Sequence, residues 1–441
     1  MKKARSRLLR LYTSERVLHF RRKLTEWGRR LSGRRHKVMV FLELDDPYSY
    51  LLGHYLADFV TAFDIQIDIC LTEAVAGGVR PEPELHAEYA LMDCRRLARE
   101  LGLPFLDKGR SPAVEHRRAL LDMLASRESE PAPVYLREVV DTLTAYWRGD
   151  AETVARRAEG ARAGGGDGMI ERNQRLLEKL GHYNVAMLHY GGEWYWGIDR
   201  LHYLVERLDA LGLRRAPTPE LKAIRQAMQL DLPVQPPAAA KSLPPLEFFY
   251  SFRSPYSYLA ISRMFAIADA FGVELKIRPV LPMVMRGLPV PKAKLRYILL
   301  DASREARRLG IDFGNAVDPL GKGIERLLAT LRYAASQKRE RECLLAGGRA
   351  VWAKGIDVAS DVGLRKVTAR AGLFWPDVCA ALEDDSWRRD AENNRADMMA
   401  SGSWGVPTLR IGDWVCWGQD RDWLVARHLE KLCETEEGIL V

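Results

Sequence analysis

The chain has 441 residues, 47% of them hydrophobic and 29% charged, which excludes a disordered or fibrous protein and implies two or three domains. No run approaches the roughly 20 uncharged apolar residues of a spanning helix, and six scattered cysteines (Cys70, Cys94, Cys343, Cys379, Cys416, Cys433) form no Cys-x-x-Cys pair. That excludes the usual dithiol motif and the common zinc spacings, and points to a reducing, cytoplasmic compartment.

The net charge of +8 is uneven, because residues 1–37 hold fourteen Lys or Arg against only Glu15 and Glu26. The rest of the chain is slightly acidic. Within this basic arm Val17, Phe20, Leu24, Trp27 and Leu31 recur at steps of three and four, which predicts an amphipathic helix. There is no uninterrupted apolar core or small-residue cleavage site of a secretory signal. The arm is expected to pack on its own domain or a partner subunit, with a membrane surface or nucleic acid as the alternatives.

The remainder reads as a duplication. FLELDDPYSYLL (41–52) aligns with FYSFRSPYSYLA (249–260) at an offset of 208, and LMDCRRLARELGLPF (91–105) aligns with LLDASREARRLGIDF (299–313) at the same offset. EWYWGIDR (193–200) lies over WVCWGQDR (414–421) at an offset of 221. Each copy reads as a β-rich run (Val38–Leu44; Leu246–Phe252), an amphipathic stretch (Tyr48–Phe63; Tyr256–Phe271) and a second strand (Ile65–Leu71; Val273–Val280). A long helical region follows, then a strand–turn–strand (Val185–Trp196; Val406–Trp417) and a final helix. The expected fold is α/β, two tandem thioredoxin-like domains, each with a helical insertion. The boundaries are an arm at 1–37, a first domain at 38–214, a Pro/Ala-rich linker at 215–245, a second domain at 246–434 and a tail at 435–441.

Chemistry concentrates in the second copy. Ser254-Pro255 is a good N-cap followed by the residue favoured at the first helical position, so a capped helix is the plain interpretation. The same helix start presents unpaired N–H groups and a positive dipole end that favour an anion. Gly405-Val406-Pro407-Thr408 places a proline where a strand opens, and Trp417-Gly418-Gln419-Asp420-Arg421 follows ten residues later.

FFYSFRSPYSYLA (248–260), RPVL (278–281), AKLRYILLD (293–301), WRRDAENNRADMM (387–399) and SWGVPTLRIGDWVCWGQDR (403–421) together resemble the DsbA-like thioredoxin superfamily. More narrowly, they resemble its 2-hydroxychromene-2-carboxylate isomerase and kappa-class glutathione transferase branch. That resemblance implies a cis peptide before Pro407 and a Ser254 hydroxyl that donates to a glutathione thiolate. It also implies that Val406 pairs with the tripeptide backbone, that Gln419 and Asp420 hold its γ-glutamyl end, and that Lys294 faces a carboxylate. Arg253, Tyr256, Ser257 and Tyr297 are pocket candidates. Ser254 and Ser257 replace the two thiols of a dithiol oxidoreductase, and hydroxyls cannot cycle through a disulfide. The Pro282–Pro289 segment departs from the family's Gly-Asn and paired-proline pattern, which leaves the substrate open.

In the first copy Asp46, Ala186 and Ile198 stand where the second has Ser254, Pro407 and Gln419. This copy reads as a scaffold, forming an intrachain pseudo-dimer with the second, with Asp46, Tyr48 and His182 as an alternative polar site. The resemblance implies a glutathione-dependent isomerase or transferase acting on a small aromatic or electrophilic compound, without a metal. The alternative is a DsbA-family binding or chaperone-like module without dithiol chemistry, and a third possibility is an accessory protein recruited by the basic arm.

Overall fold

The computed structural model describes residues 2–75, 81–105, 107, 112, 116–159, 164–238 and 242–439. The chain divides into two compact units: Met1–Phe20 with Leu230–Val441, and Arg21–Gln229.

The arm forms two helices, α1 (Lys2–Tyr12) and α2 (Glu15–Leu31), and the division between the units falls inside α2. Residues 37–229 continue as β1 (Lys37–Leu42), α3 (Pro47–Ala62), β2 (Gln66–Leu71), α4 (Pro83–Leu101), α5 (Arg117–Ser126), α6 (Ala132–Arg148), α7 (Ala151–Ala158) and α8 (Gly165–Lys179). After these come β3 (Met187–Tyr190), β4 (Glu193–Trp196), α9 (Gly197–Ala210) and α10 (Pro219–Ala227). The last helix lies in the stretch read as linker and buries Leu221 and Ile224.

The sheet order is β2-β1-β3-β4, with β1 parallel to β2 and antiparallel to β3. β1 is central and its Val38, Val40, Phe41 and Leu42 are all fully buried, the near-continuous apolar run of a strand covered on both faces.

The other unit repeats this order. It comprises β5 (Leu246–Tyr250), α11 (Pro255–Phe271), β6 (Leu275–Pro279), α12 (Lys292–Arg308), α13 (Lys322–Ser336), α14 (Glu340–Trp352), α15 (Asp361–Arg370), α16 (Trp375–Ala381), α17 (Trp387–Ala400), β7 (Thr408–Ile411), β8 (Trp414–Trp417) and α18 (Asp422–Ile439). Its sheet runs β6-β5-β7-β8, again with one parallel and two antiparallel pairings. β5 is buried along its whole length, and Glu247 within it is held by Arg278 of β6 and Arg410 of β7. α1 belongs to this unit: the Thr13 carbonyl just beyond it accepts from Ser303 Oγ at 2.9 Å, and Leu9 packs against the core.

Several hydrogen bonds recur at equivalent positions of the two units. Tyr48 donates to Asp93 and Tyr256 to Asp301, at 2.9 and 2.8 Å. The indoles of Trp147 and Trp352 donate to the Leu44 and Phe252 carbonyls. Each tie secures the first helix or the first strand end to the helical insertion, so both units hold that helix start in the same way.

All six cysteines are free, and five are buried. Burial pushes the Cys70 and Cys343 thiols up to about 12, so neither is a nucleophile near neutral pH.

Candidate functional site

The end of β5 runs into α11 through Phe252-Arg253-Ser254, and Ser254 occupies the N-cap position with extended backbone. Its Oγ accepts the Ser257 N–H at 3.1 Å, which satisfies one of the donors every helix start leaves open. The same hydroxyl donates to the Val406 carbonyl at 3.3 Å, tying the helix start to the loop before β7. Ser254 is half-buried rather than sealed, and the Val406–Pro407 peptide is cis. Val406 itself is half-buried against Phe249, Val280 and Met398.

The loop carrying Val406 is set by its aromatic neighbours. Trp404 and Trp417 pack with ring centroids 5.0 Å apart. Gly405 lies so close to the Trp417 indole that a Cβ there would sit 2.7 Å from its Nε1, so only glycine fits between strand and ring. Gly418 has φ +119, and a Cβ on it would meet Asp420 Oδ1 at 2.6 Å. Glycine therefore lets the Asp420 side chain fold back over the turn.

α12 closes the other side. Tyr256 donates to the buried Asp301, and the Gln419 amide donates to the buried Glu305 at 2.8 Å. Glu305 also pairs with Arg308 at 2.9 Å. At the head of α12, the Lys294 ammonium lies 5.4 Å from the centre of the Trp404 ring, within cation–π range. Tyr297 lies one turn further on and is half-buried.

Ser254 is thus tied to Val406, Tyr256 and Gln419 are each tied to α12, and Lys294 on α12 lies over Trp404 of the loop before β7. Arg253 is turned to a bidentate ion pair with Asp318, at 2.9 and 3.0 Å. Ser257 is fully buried beneath the helix start. Its Oγ has no hydrogen-bond partner, and neither does the Oε1 of Gln419, which is 1% exposed. An acceptor buried without a donor carries a desolvation cost until some N–H or O–H reaches it.

Asp301, Glu305, Trp404 and Trp417 are the residues that sequence reasoning missed. Asp301 left a trace, because Asp93 matches it at the offset that also aligns Tyr48 with Tyr256. Glu305 left none, since its counterpart is Leu97. In the unit spanning 21–229, Asp46 caps α3 by accepting from the Ser49 N–H at 2.7 Å and its hydroxyl at 2.8 Å. Tyr48 is held by Asp93, while His182 Nδ1 accepts the Asn184 N–H. No group of metal-ligating side chains occurs among the described residues, and no described helix is long and apolar enough to cross a membrane.

Residues 245–430 match the family model described as DSBA-like thioredoxin domain. A 2-hydroxychromene-2-carboxylate isomerase of Pseudomonas putida is 25% identical over 201 residues, covering 43% of this chain and 95% of the relative. An enzyme of the same name from Sphingobium xenophagum is 23% identical over 184 residues, covering 40% and 93%. A solved 2-hydroxychromene-2-carboxylate isomerase structure aligns with a TM-score of 0.38 and 24% identity, covering 44% of this chain and 98% of that one. The chain thus carries a DsbA-like thioredoxin domain at 245–430, with homologues named 2-hydroxychromene-2-carboxylate isomerase.

Proposed function

We propose that residues 246–434 form a glutathione-dependent isomerase or transferase of the 2-hydroxychromene-2-carboxylate isomerase and kappa type, acting on a small aromatic or electrophilic compound. Residues 38–214 are then a degenerate tandem copy serving as scaffold. The observation that carries the catalytic part is the half-buried Ser254 hydroxyl at the start of α11, in hydrogen-bond contact with the Val406 main chain beside the cis-Pro407 peptide. It falls within residues 245–430, the stretch matched by the DSBA-like thioredoxin domain model.

The residues present suit a γ-glutamyl tripeptide. Gln419 Oε1 offers a buried acceptor to an ammonium or amide N–H, with Asp420 beside it as a carboxylate for the same group. Val406 offers main chain for strand-like pairing, and Lys294 offers a cation for a carboxylate. When bound, glutathione supplies a nucleophilic sulfur.

Ser254 stabilises that sulfur as an anion. Its single hydroxyl proton now points to the Val406 carbonyl across a long 3.3 Å contact, so rotation toward an anion gives up little. Meanwhile its lone pair keeps the Ser257 N–H. Helix-start dipoles contribute roughly 0.3–2 kcal/mol toward an anion. At about 1.36 kcal/mol per unit, that lowers a thiol pKa by up to about one and a half units from its usual ~8.5.

Calorimetry and thermal shift of the full chain with reduced glutathione test this reading. Saturable binding at millimolar concentration or tighter is expected, with Ser254→Ala leaving binding detectable but reducing ionisation of the bound thiol. Absence of any saturable heat or shift sinks the proposal. Turnover is read separately, from the absorbance change of 2-hydroxychromene-2-carboxylate with and without glutathione.

A further inference from the structure

The helix α2 sits the wrong way round for a helix that packs on its own domain. Successive residues turn by about 100°, so Phe20, Leu24, Trp27 and Leu31 fall within an arc of about 60°. All four are exposed, at 60%, 49%, 63% and 69%. The face turned to the body is the polar one. Arg22 makes a bidentate pair with Glu193, at 2.7 and 2.9 Å, and Arg29 is held by Glu26. No residue of α2 is buried.

One flank of the apolar arc carries Arg16, Lys23 and Arg30, spaced seven residues apart and all exposed, Arg30 also reaching Glu26 at 2.9 Å. The two acidic residues, Glu15 and Glu26, lie away from the arc on the helix circumference.

We propose that α2 docks on an anionic lipid surface, lying in the plane of the interface with Phe20, Leu24, Trp27 and Leu31 inserted and Arg16, Lys23 and Arg30 at the lipid phosphates. The helix is about 25 Å long, and its composition matches an interfacial helix, which combines an apolar face, an aromatic and long basic side chains that reach back to the headgroups. The charge argues against the other occupants. Two copies paired through this face would bring two rows of Arg16, Lys23 and Arg30 together and repel. A nucleic acid would reward the cations but leave four large apolar side chains without a partner. The bidentate pair of Arg22 with Glu193 fixes the helix so that the apolar face is presented before any surface is met.

Cosedimentation of the full chain with vesicles tests this. Vesicles of phosphatidylcholine with one third phosphatidylglycerol should bind at least tenfold more protein than phosphatidylcholine alone, with binding falling as salt rises. Leu24→Glu with Trp27→Glu should abolish binding at unchanged far-ultraviolet circular dichroism, since both positions are exposed. Lys23→Glu with Arg30→Glu should remove the preference for the anionic lipid. The proposal is overturned if the wild-type chain ignores anionic vesicles at low salt, or if binding survives the Leu24/Trp27 pair. It is equally overturned if that pair instead dissolves a dimer seen by sedimentation velocity.

Discussion

The two units meet the same problem, how to begin a helix at the end of the central strand, and answer it with different chemistry. Asp46 caps α3 with a charged, 6%-exposed carboxylate that takes two hydrogen bonds from Ser49. Ser254 caps α11 with a neutral hydroxyl that takes one from Ser257 and gives one to Val406. Around Asp46, the positions equivalent to Gln419 and Glu305 are Ile198 and Leu97, both buried. Where the second unit has a polar bridge with an acceptor left over, the first has apolar packing. The cap and the Tyr–Asp tie occur in both units while the polar groups around them differ, so the helix start is a structural device that does not depend on those groups.

The largest expected difference between the units is in acid. His182 and His189 are both buried in the 21–229 unit, and burial pulls their imidazoles down to about 3 and about 4. The equivalent positions of the other unit are Ser403 and Arg410. A folded-state pKa below the unfolded value of about 6.5 means the unfolded chain takes up the proton first. Stability from these groups is therefore complete above about pH 6.5 and falls as pH drops toward 4. Between pH 7 and 5 the two histidines together remove about 4 kcal/mol. Urea unfolding at the two pH values should show the 21–229 unit losing more, with His182→Gln flattening its pH dependence. Equal losses in both units would contradict this account.

Next in size is the polar bridge. Glu305→Leu leaves the Gln419 amide buried without its acceptor, at a cost of about 2 kcal/mol. Gln419→Ile alone takes a hydrogen bond from a buried carboxylate, at a similar cost. The double variant recreates the Leu97–Ile198 pair and should lose less than either single change, a coupling of about 2 kcal/mol in urea unfolding. Strict additivity would show that the bridge contributes nothing as a pair.

The third prediction converts one cap into the other. Ser254→Asp keeps an N-cap acceptor and should leave the melting temperature nearly unchanged. A carboxylate facing a sulfur anion should nonetheless weaken glutathione at least tenfold, about 1.4 kcal/mol, by calorimetry. The reverse change, Asp46→Ser, should create no binding, because Ile198 and Leu97 offer no hydrogen bonds. Tight binding by Ser254→Asp would remove Ser254 from the site.

Much of this was legible in the sequence. The strand order and capped helix starts follow from alternation, Ser-Pro and Asp-Pro, which act over a few residues. Three features were not legible. Glu305 stands in an amphipathic helix where any glutamate reads as solvent-facing, and its burial depends on Gln419, 114 residues away. The periodicity of α2 places Phe20, Leu24, Trp27 and Leu31 on one face but does not say which way that face turns. Its orientation follows from Arg22 meeting Glu193, 171 residues along the chain, so the expectation that the stripe packs on its own domain fails. α1 escaped detection for a related reason: what holds it is Ser6 and Thr13, through partners some 300 residues on.

The smallest effect concerns the caps as pure structure. A charged acceptor close to two donors at a helix start gains from both the shorter hydrogen bonds and the dipole, whereas a hydroxyl at 3.1 Å gains mainly from one neutral bond. Asp46→Ala should therefore cost about 1 kcal/mol and Ser254→Ala about half that, read as shifts in the unfolding midpoint of the respective unit. The ranking matters more than the values. If Ser254→Ala proves the costlier of the two, the hydroxyl is contributing to folding through Val406 more than its 3.3 Å contact indicates. It would then not be free to turn toward a ligand.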